Sequence, residues 1–387
     1  MSRRVLLASR LFVPEVSAGA FRLGALATAM ARAGAEVVVV TTRPPKHAPA
    51  IADPDGVRVS RWPVLRDRGG NVRGYLQYAS FDGPLLFRLL FRRFDAVVAE
   101  SPPTTALVAQ IVSSLRRRPS VYYAADVWTD GVIAMGASRL VVSLMRRMER
   151  AVLRRARTVL SISAEVTERL VALGADRDRI ATVGNGVDTT VFTPDGDLAA
   201  PEETYFVYTG TMSEWQRPDL FVRAFAQLAD EYPALRLRFF GQGAVESDLR
   251  ALAEELVPGR VHFGGVVSPQ QSARWIRGAV AALVSIVPGI GYDFARPTKT
   301  YAAAACGTPV IFAGADIGGE IVRDAGLGRA VAFTPGAVAD AMRQMIADAR
   351  SGETEQLRST RARWAQENVS LTAVGERAAQ AVGDTMR

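Results

Sequence analysis

The sequence has very few of the residues that form cross-links or bind metal ions. It has one cysteine, Cys306, and two histidines, His47 and His262, among 387 residues. A single cysteine cannot form an internal disulfide, and two distant histidines do not make a Cys/His cluster. Disulfide-stabilised scaffolds and zinc-finger modules are therefore excluded.

Long hydrophobic runs are also missing. No stretch reaches the roughly 18 consecutive apolar residues that a membrane span needs. The apolar run that follows Arg3 and Arg4 is about half the length of a signal-peptide core and fits a first strand better. We therefore expect a cytoplasmic protein without a transmembrane helix.

The chain has only two lysines, Lys46 and Lys299. It is nevertheless basic. It has 47 basic and 39 acidic residues, a formal net charge of +8 that comes almost entirely from arginine. A positive surface suits anionic partners such as phosphates or anionic lipids. No recognised nucleic-acid-binding module accompanies the charge, so nucleic acid is not an expected partner.

Short apolar runs alternate with segments whose apolar residues recur at helical spacing. The chain contains two such series, one after the other. Such alternation predicts βαβ units and parallel sheets. We therefore predict an α/β protein with two Rossmann-like, doubly wound domains that face each other across a cleft, at residues 1–193 and 204–387. The turn-rich segment 194–203 is the predicted linker, and the last helix is a candidate to pack back on the N-terminal domain. Ligands of such sheets bind at the carboxyl ends of the strands.

The clearest candidate for a phosphate site is the segment 289–299, which has two glycines and ends at a helix start beside Pro297. A helix N-terminus presents free N–H groups and positive dipole charge, to which Arg296 and Lys299 add two cations. This combination predicts a diphosphate site. The alternative is a capped surface helix with solvated basic residues.

Two further glycine-containing turns are weaker candidates for a site where the backbone comes close to a bound ligand. Gly241 and Gly243 follow a predicted strand, and Gly19 lies at the start of the first long helix. The structural alternatives are an ordinary turn and a helix capped by Ser17. No G-x-G-x-x-G follows the first strand, which argues against a nicotinamide or flavin oxidoreductase.

Asp126 and Trp128 follow another predicted strand and place a carboxylate and an aromatic ring at a strand end. Asp126 is a candidate functional acid, and the alternative is a solvated loop carboxylate. Two D-x-D pairs, in the segments 53–55 and 195–197, lie in Pro/Gly turns. We read both as turns and predict no metal site.

An amphipathic basic helix is predicted from Arg139 to Arg157. Arginines alternate in it with an apolar stripe made of Val141, Leu144, Met145, Met148 and Val152. The helix could lie on an anionic membrane surface or pack on the sheet with a solvated basic face, and both alternatives stay open.

Several segments together resemble the retaining nucleotide-sugar glycosyltransferases of the GT-B fold, glycosyltransferase family 4. Residues 185–194 are similar to the N-G-V-D-x-x-x-F-x-P segment of that family. Residues 126–128 resemble the D-L-W of a bacterial branch that includes fucosamine-transferase-like enzymes. The resemblance continues in family order at residues 12–41, 208–210, 240–243 and 305–311.

The resemblance implies sugar transfer from a nucleoside diphosphate donor with retained configuration and without a cofactor or a required metal. UDP is favoured because it is the commonest donor nucleotide in the family, and the acceptor could be a sugar, a lipid-linked or cell-envelope molecule, or a natural product. Asp126 and Trp128 would lie on the acceptor side, and Asp126, Arg296 and Lys299 would be catalytic. The implied donor-binding residues are Gly19, Gly210, Arg217, Gly241, Gly243, Arg296, Lys299 and Glu320.

The chain also departs from the family pattern. Thr211 and Gln216 stand where two cations are common, and Phe294 and Ala302 stand where the family has two glutamates. These changes keep open a catalytically impaired binding or partner protein. A GT-B sugar-nucleotide epimerase is a further alternative, although such an enzyme ordinarily needs acid and base side chains in its cleft and histidine is scarce here.

Overall fold

The computed structural model describes residues 3–15, 17–45, 48, 52–67, 70, 72, 74–134, 136–291 and 293–387. The chain divides into two units, the first made of Met1–Asn185 with Leu371–Arg387 and the second of Gly186–Ser370. Each unit holds one sheet, with seven strands in the first and six in the second, and the paired strands are parallel. The prediction of two α/β domains with parallel sheets is confirmed.

The first unit has the strand order β3-β2-β1-β4-β5-β6-β7. Its strands are β1 (Arg4–Ala8), β2 (Glu36–Thr42), β3 (Val57–Trp62), β4 (Ala96–Glu100), β5 (Ser120–Ala124), β6 (Thr158–Ser161) and β7 (Ile180–Thr182). Its first six helices are α1 (Ala18–Arg32), α2 (Tyr75–Leu90), α3 (Pro103–Leu115), α4 (Trp128–Ala134), α5 (Arg139–Arg155) and α6 (Ala164–Ala172). The central strands are mostly apolar because helices cover both faces of such a sheet.

The strand β3 was not predicted from the sequence. It reads Val-Arg-Val-Ser-Arg-Trp and lies at the edge of the sheet, where none of its residues is fully buried. An edge strand that is partly open to solvent does not need a continuous apolar run, so the pattern that predicted the other strands was absent here.

The second unit has the strand order β10-β9-β8-β11-β12-β13. Its strands are β8 (Tyr205–Thr209), β9 (Arg236–Phe240), β10 (Val261–Phe263), β11 (Ala281–Ser285), β12 (Val310–Ala313) and β13 (Gly328–Val331). Its helices are α7 (Asp219–Ala226), α8 (Glu246–Leu256), α9 (Pro269–Arg277), α10 (Thr298–Ala305), α11 (Asp316–Asp324), α12 (Pro335–Ser351), α13 (Glu353–Gln356) and α14 (Arg358–Asn368).

The last helix, α15 (Leu371–Thr385), belongs to the first unit. A Cβ atom on its Gly375 would lie 2.7 Å from the carbonyl oxygen of Ala25 in α1, so the two helices approach closely where this residue has no side chain. The Arg377 guanidinium donates to the carbonyl oxygen of Val183 at 2.9 Å. These contacts attach the C-terminus of the chain to the N-terminal sheet.

The division between the units differs from the predicted boundary after residue 193, since residues 186–203 lie in the second unit. The Val187 N–H donates to the carbonyl oxygen of Val369 at 2.9 Å. The Arg277 guanidinium donates to the carbonyl oxygens of Thr193 and Asp195. The turn-rich segment predicted as a linker is therefore tied to the second unit by backbone contacts that its composition does not reveal.

Among the helices of the described ranges, none is both long enough and apolar enough to cross a bilayer.

Candidate functional site

In the second unit, the loops after β8 and β9 run against each other through backbone hydrogen bonds. The Gly210 N–H donates to the Phe240 carbonyl oxygen at 2.8 Å. A Cβ atom on Gly241 would overlap the carbonyl oxygen of Gly210, and one on Gly243 would overlap that of Met212. Both glycines are thus required by the close approach of the two loops, while their predicted contact with a nucleotide stays a prediction.

Lys299 lies in the first turn of α10, and its side chain reaches the end of β8. Its Nζ atom is 3.7 Å from the ring centroid of Tyr208. Its Cε atom is 3.6 Å from the place that a Cβ on Gly210 would take. Nζ is buried and has no hydrogen-bond partner in the structure as described. Burial lowers the pKa of Lys299 to about 7.

Tyr208 is held rigidly below this ammonium group. The ring is fully buried, and its hydroxyl lies 2.7 Å from both Gln216 Oε1 and the Thr211 carbonyl oxygen. The Ser285 hydroxyl in turn donates to the Gln216 carbonyl oxygen at 2.7 Å. Gln216, one of the two departures from the family cations, therefore orients Tyr208, whose ring face attracts the Lys299 charge.

The remaining predicted donor residues have different surroundings. Arg217 has positive φ and forms an ion pair of 2.9 Å with Asp219, so the structure gives it a local carboxylate partner. Arg296 is half-buried in the loop before α10, and Glu320 is exposed on α11. Tyr292, inside the predicted phosphate loop, lies outside the described residues. The structure thus brings Lys299 to Gly210, and Gly210 to Gly241.

In the first unit, a buried ion pair lies at the carboxyl end of β4. Glu100 accepts hydrogen bonds from the Arg22 guanidinium at 3.2 Å and from the Ser9 hydroxyl at 2.8 Å. A Cβ atom on Gly19 would lie 2.8 Å from the Glu100 carboxylate, which explains a glycine in the first turn of α1. Ser17 caps this helix by accepting from the Ala20 N–H, while the predicted contact of Gly19 with the donor phosphates stays a prediction.

Sequence reasoning missed both Glu100 and Arg22. The available signal was the charged residue that ends the apolar strand β4, since such a position opens into the ligand-binding edge of a parallel sheet. The partner in α1 gave no such signal, because an arginine in an amphipathic helix is usually solvated. Only the fold shows that the two side chains meet and are both buried.

Asp126 follows β5 at the same edge of the sheet, where it is exposed although protein surrounds it closely. Desolvation by the surrounding protein raises the pKa of Asp126 to about 6. The positive charge of Arg22 acts in the opposite direction, and the carboxylates of Glu100 and Glu149 add to the rise. A carboxyl group with a pKa near 6 can exchange a proton close to neutral pH.

Glu149 in α5 fixes the segment that follows Asp126. Its fully buried carboxylate accepts from the N–H groups of Trp128 and Thr129, both at 2.9 Å, and from the Thr129 hydroxyl at 2.6 Å. These bonds satisfy the free N–H groups at the start of α4. Trp128 is thereby positioned as part of a rigid turn.

The predicted apolar stripe of the basic helix is wrong in part. The structure ends α5 at Arg155 and buries Glu149, Val152 and Leu153, whereas Leu144 is 63% exposed. Val141, Met145 and Met148 are half-buried, so Leu144 is the member of the predicted stripe that faces solvent. The N-terminal half of α5 therefore presents leucine and arginine side chains to solvent.

Within the ranges that the structure describes, no group of three or more His, Cys, Asp or Glu side chains could hold a metal ion. Lys46 and His47 lie outside those ranges. The metal independence of the site stays a prediction.

Two family models match the two halves of the chain. Residues 18–186 match the family described as glycosyl transferase 4-like domain, and residues 203–348 match glycosyl transferases group 1. The D-inositol 3-phosphate glycosyltransferase of Nocardia farcinica is 35% identical over 199 residues, which cover 46% of this chain and 42% of that protein. The chain thus spans less than half the length of that relative.

Solved structures match over nearly the whole length. Sucrose-phosphate synthase from Thermosynechococcus elongatus has a TM-score of 0.78 at 19% identity, with 99% of this chain and 98% of that chain covered. Anabaena HepE in complex with UDP and glucose has a TM-score of 0.71 at 16% identity, covering 98% and 99%. These likenesses establish the GT-B fold. Each half of the chain is also similar to a family of glycosyltransferases, and the two matches follow one another along the chain.

Proposed function

We propose that this protein transfers a sugar from a nucleoside diphosphate donor, with UDP favoured, to an acceptor with retention of configuration and without a metal. The observation that carries this proposal is the buried Lys299 ammonium group, which has no hydrogen-bond partner within the described chain. A desolvated cation without a counter-ion is unfavourable unless a ligand supplies the negative charge. The match of both halves to glycosyltransferase families favours an enzyme over a partner protein or an epimerase.

Negative charge develops on the leaving diphosphate when the bond to the sugar breaks. Lys299 in the first turn of α10, the free N–H groups of that turn and the nearby Arg296 would stabilise this charge. The diphosphate, held in this way, would assist deprotonation of the acceptor on the same face of the sugar, so that no protein nucleophile is needed. Asp126, with its raised pKa, would bind the acceptor hydroxyl.

The test is a calorimetric titration of the full chain with UDP, GDP, ADP and dTDP, each with and without magnesium. We expect micromolar binding of UDP that does not depend on magnesium and that is lost in Lys299→Met. If none of the four nucleotides binds, the proposal is wrong and a binding or partner protein becomes the better assignment.

We expect UDP affinity to fall as the pH rises above 7, because Lys299 loses its proton with a pKa of about 7 in the free protein. Diphosphate stabilises the charged form, so binding above pH 7 requires uptake of a proton and weakens by at most about tenfold per pH unit. Measurement should start above pH 7, because the last phosphate ionisation of UDP lies near pH ~6.

The matched control for this pH dependence is Lys299→Arg, since a guanidinium group stays charged throughout the range. Calorimetry in two buffers of different ionisation enthalpy measures the proton uptake directly. A wild-type affinity as flat with pH as that of the arginine variant would contradict the assignment of Lys299 to the diphosphate.

We further propose that the acceptor is lipid-linked or belongs to the cell envelope, with a natural product as the alternative. The support is the exposed face of α5, where Leu140 is 79% and Leu144 63% exposed beside the exposed Arg146 and Arg147. Apolar side chains flanked by arginines suit the surface of an anionic bilayer. This helix contacts α4, which begins at Trp128.

We expect the protein to co-sediment with vesicles that contain an anionic phospholipid at low salt and not with purely zwitterionic vesicles. The double variant Leu140→Ser/Leu144→Ser should weaken this binding about tenfold, because two leucines lose their insertion into the interface. Leu256→Ser, at an exposed leucine of α8 in the second unit, is the matched control. Absence of vesicle binding would favour the natural-product acceptor.

A further inference from the structure

Arg10 lies just after β1 and is held against two aromatic rings. Its guanidinium carbon is 3.7 Å from the ring centroid of Tyr78 and 5.9 Å from that of Trp128. The two rings themselves meet edge to face, with their centroids 6.0 Å apart. Arg10 is only 8% exposed, so its charge is removed from water, which lowers the pKa of its guanidinium group.

Two buried hydrogen-bond donors in this cluster are unsatisfied. Neither Nη1 of Arg10 nor Nε1 of Trp128 has a hydrogen-bond partner within the residues described. Both groups can only donate, so only a group that accepts hydrogen bonds could satisfy them. Buried donors without a partner are rare in native structures, and each needs an explanation.

The nearby carboxylates accept hydrogen bonds from other groups and form none with Arg10 Nη1. Asp82 accepts from the Thr105 hydroxyl at 2.7 Å, and Glu100 accepts from Arg22 and Ser9. Both carboxylates attract Arg10 electrostatically. The cluster thus keeps one guanidinium nitrogen and one indole N–H available beside the Asp126 loop.

We propose that Arg10, Trp128 and Tyr78 form a subsite for an oxyanion carried by the acceptor, a phosphate or a carboxylate group. An oxyanion accepts from both unsatisfied donors and neutralises the buried guanidinium charge. The two rings offer apolar faces to the remainder of the molecule. Because Trp128 lies two residues after Asp126, the anionic group binds near the acceptor hydroxyl. That the anion belongs to a sugar acceptor rests on the proposed function, whereas the anion subsite itself does not.

Arg88 provides a matched control in the same unit. It is also a buried arginine next to an aromatic ring, 4.8 Å from the centroid of Trp62. Its terminal nitrogens, however, donate to the carbonyl oxygens of Thr41 and Ser60. Of the donors of Arg88 only Nε lacks a partner among the described residues, whereas in Arg10 a terminal nitrogen lacks one.

The experiment measures thermal unfolding of the full chain with inorganic phosphate or acetate as the probe. All variants carry Lys299→Met, which removes the donor-site cation so that the response reports on the first unit. We expect millimolar phosphate or acetate to raise Tm by several degrees in this background and in Arg88→Met, but not in Arg10→Met. Phosphate acting alone would identify a phosphate group on the acceptor, and acetate acting equally well would identify a carboxylate.

Stability without any anion separates a ligand-binding arginine from a structural one. Arg10→Met should lower the unfolding temperature less than Arg88→Met does, because Arg88 loses hydrogen bonds from both terminal nitrogens, whereas one terminal nitrogen of Arg10 has no partner among the described residues. If Arg10→Met does not fold, Trp128→Phe keeps the ring, removes only the N–H and should weaken anion binding severalfold. A response to neither anion, or one that Arg10→Met retains, overturns the subsite. Failure of UDP to bind the wild-type chain would instead overturn the proposed function.

Discussion

Lys299→Met is expected to lose most of the affinity for UDP and, at the same time, to raise the free energy of unfolding. A hydrogen bond between charged groups contributes about 2 to 3 kcal/mol, so UDP should bind roughly 30-fold to 150-fold more weakly. The gain in stability has a separate cause. The ammonium group is buried without a partner among the described residues, and methionine fills a similar volume without a charge.

The pH dependence of that gain has a definite sign. Burial lowers the pKa of Lys299 to about 7, far below the value of a lysine in an unfolded chain. The cost of burying the charge is therefore fully present below pH 7 and fades as the pH rises from 7 toward 10. We expect Lys299→Met to be more stable than the wild type by about 1 to 3 kcal/mol at pH 6, with a smaller difference at pH 9.

Urea unfolding at the two pH values measures this difference, and calorimetry measures the UDP affinity of the same samples. Lys299→Arg is the control that keeps the charge and should retain most of the binding. A methionine variant that is less stable than the wild type and still binds UDP would show that Lys299 has a structural role only. Such a result would remove the main support for the proposed donor site.

Arg22→Met is expected to have the largest effect on stability. Arg22 and Glu100 form a buried ion pair, with side chains that are 5% and 7% exposed. Removal of one partner leaves a buried carboxylate without its counter-charge, which costs about 3 to 5 kcal/mol. A Cβ on Gly19 would already meet this carboxylate, so there is little room for Glu100 to move out of its position.

This loss should depend on pH and should be reversible by a second substitution. Without Arg22, the ionised carboxylate of Glu100 has no counter-charge in its buried position, so the loss is largest where this carboxylate is charged. Arg22→Met should therefore be less destabilising at pH 5 than at pH 8. Arg22→Met/Glu100→Gln should recover part of the loss at pH 8, because no buried charge is left. Equal losses at both pH values, without any rescue, would contradict an electrostatic role for the pair.

Most of the fold could be predicted because each buried strand is visible in the sequence as a short apolar run. A strand covered on both faces needs a nearly continuous apolar run, such as residues 37–40 of β2 and 121–124 of β5. The edge strand β3 lacks that constraint and was missed. The boundary between the units was placed after residue 193 because turn-forming residues cluster there, although the backbone of that segment is bound by Arg277.

The site could be predicted only where one short segment carried the signal. The start of α10, with Pro297 and Lys299, was such a segment, since a helix N-terminus with a cation is a local feature. The Tyr208 ring below Lys299 and the Gln216 that orients it could not be found in the same way. A departure from the family cations at Gln216 was visible, but its hydrogen bond to Tyr208 was not.

The residue pattern was thus sufficient for the fold class and for the helix that carries Lys299, because periodicity and short motifs depend on neighbours along the chain. The buried pair of Arg22 and Glu100, the unsatisfied donors of Arg10 and Trp128, and the pKa of Lys299 required the folded structure. Each of them depends on desolvation by segments that are distant in sequence. Burial and the choice of a partner are properties of three-dimensional packing, and no local pattern of residues specifies them.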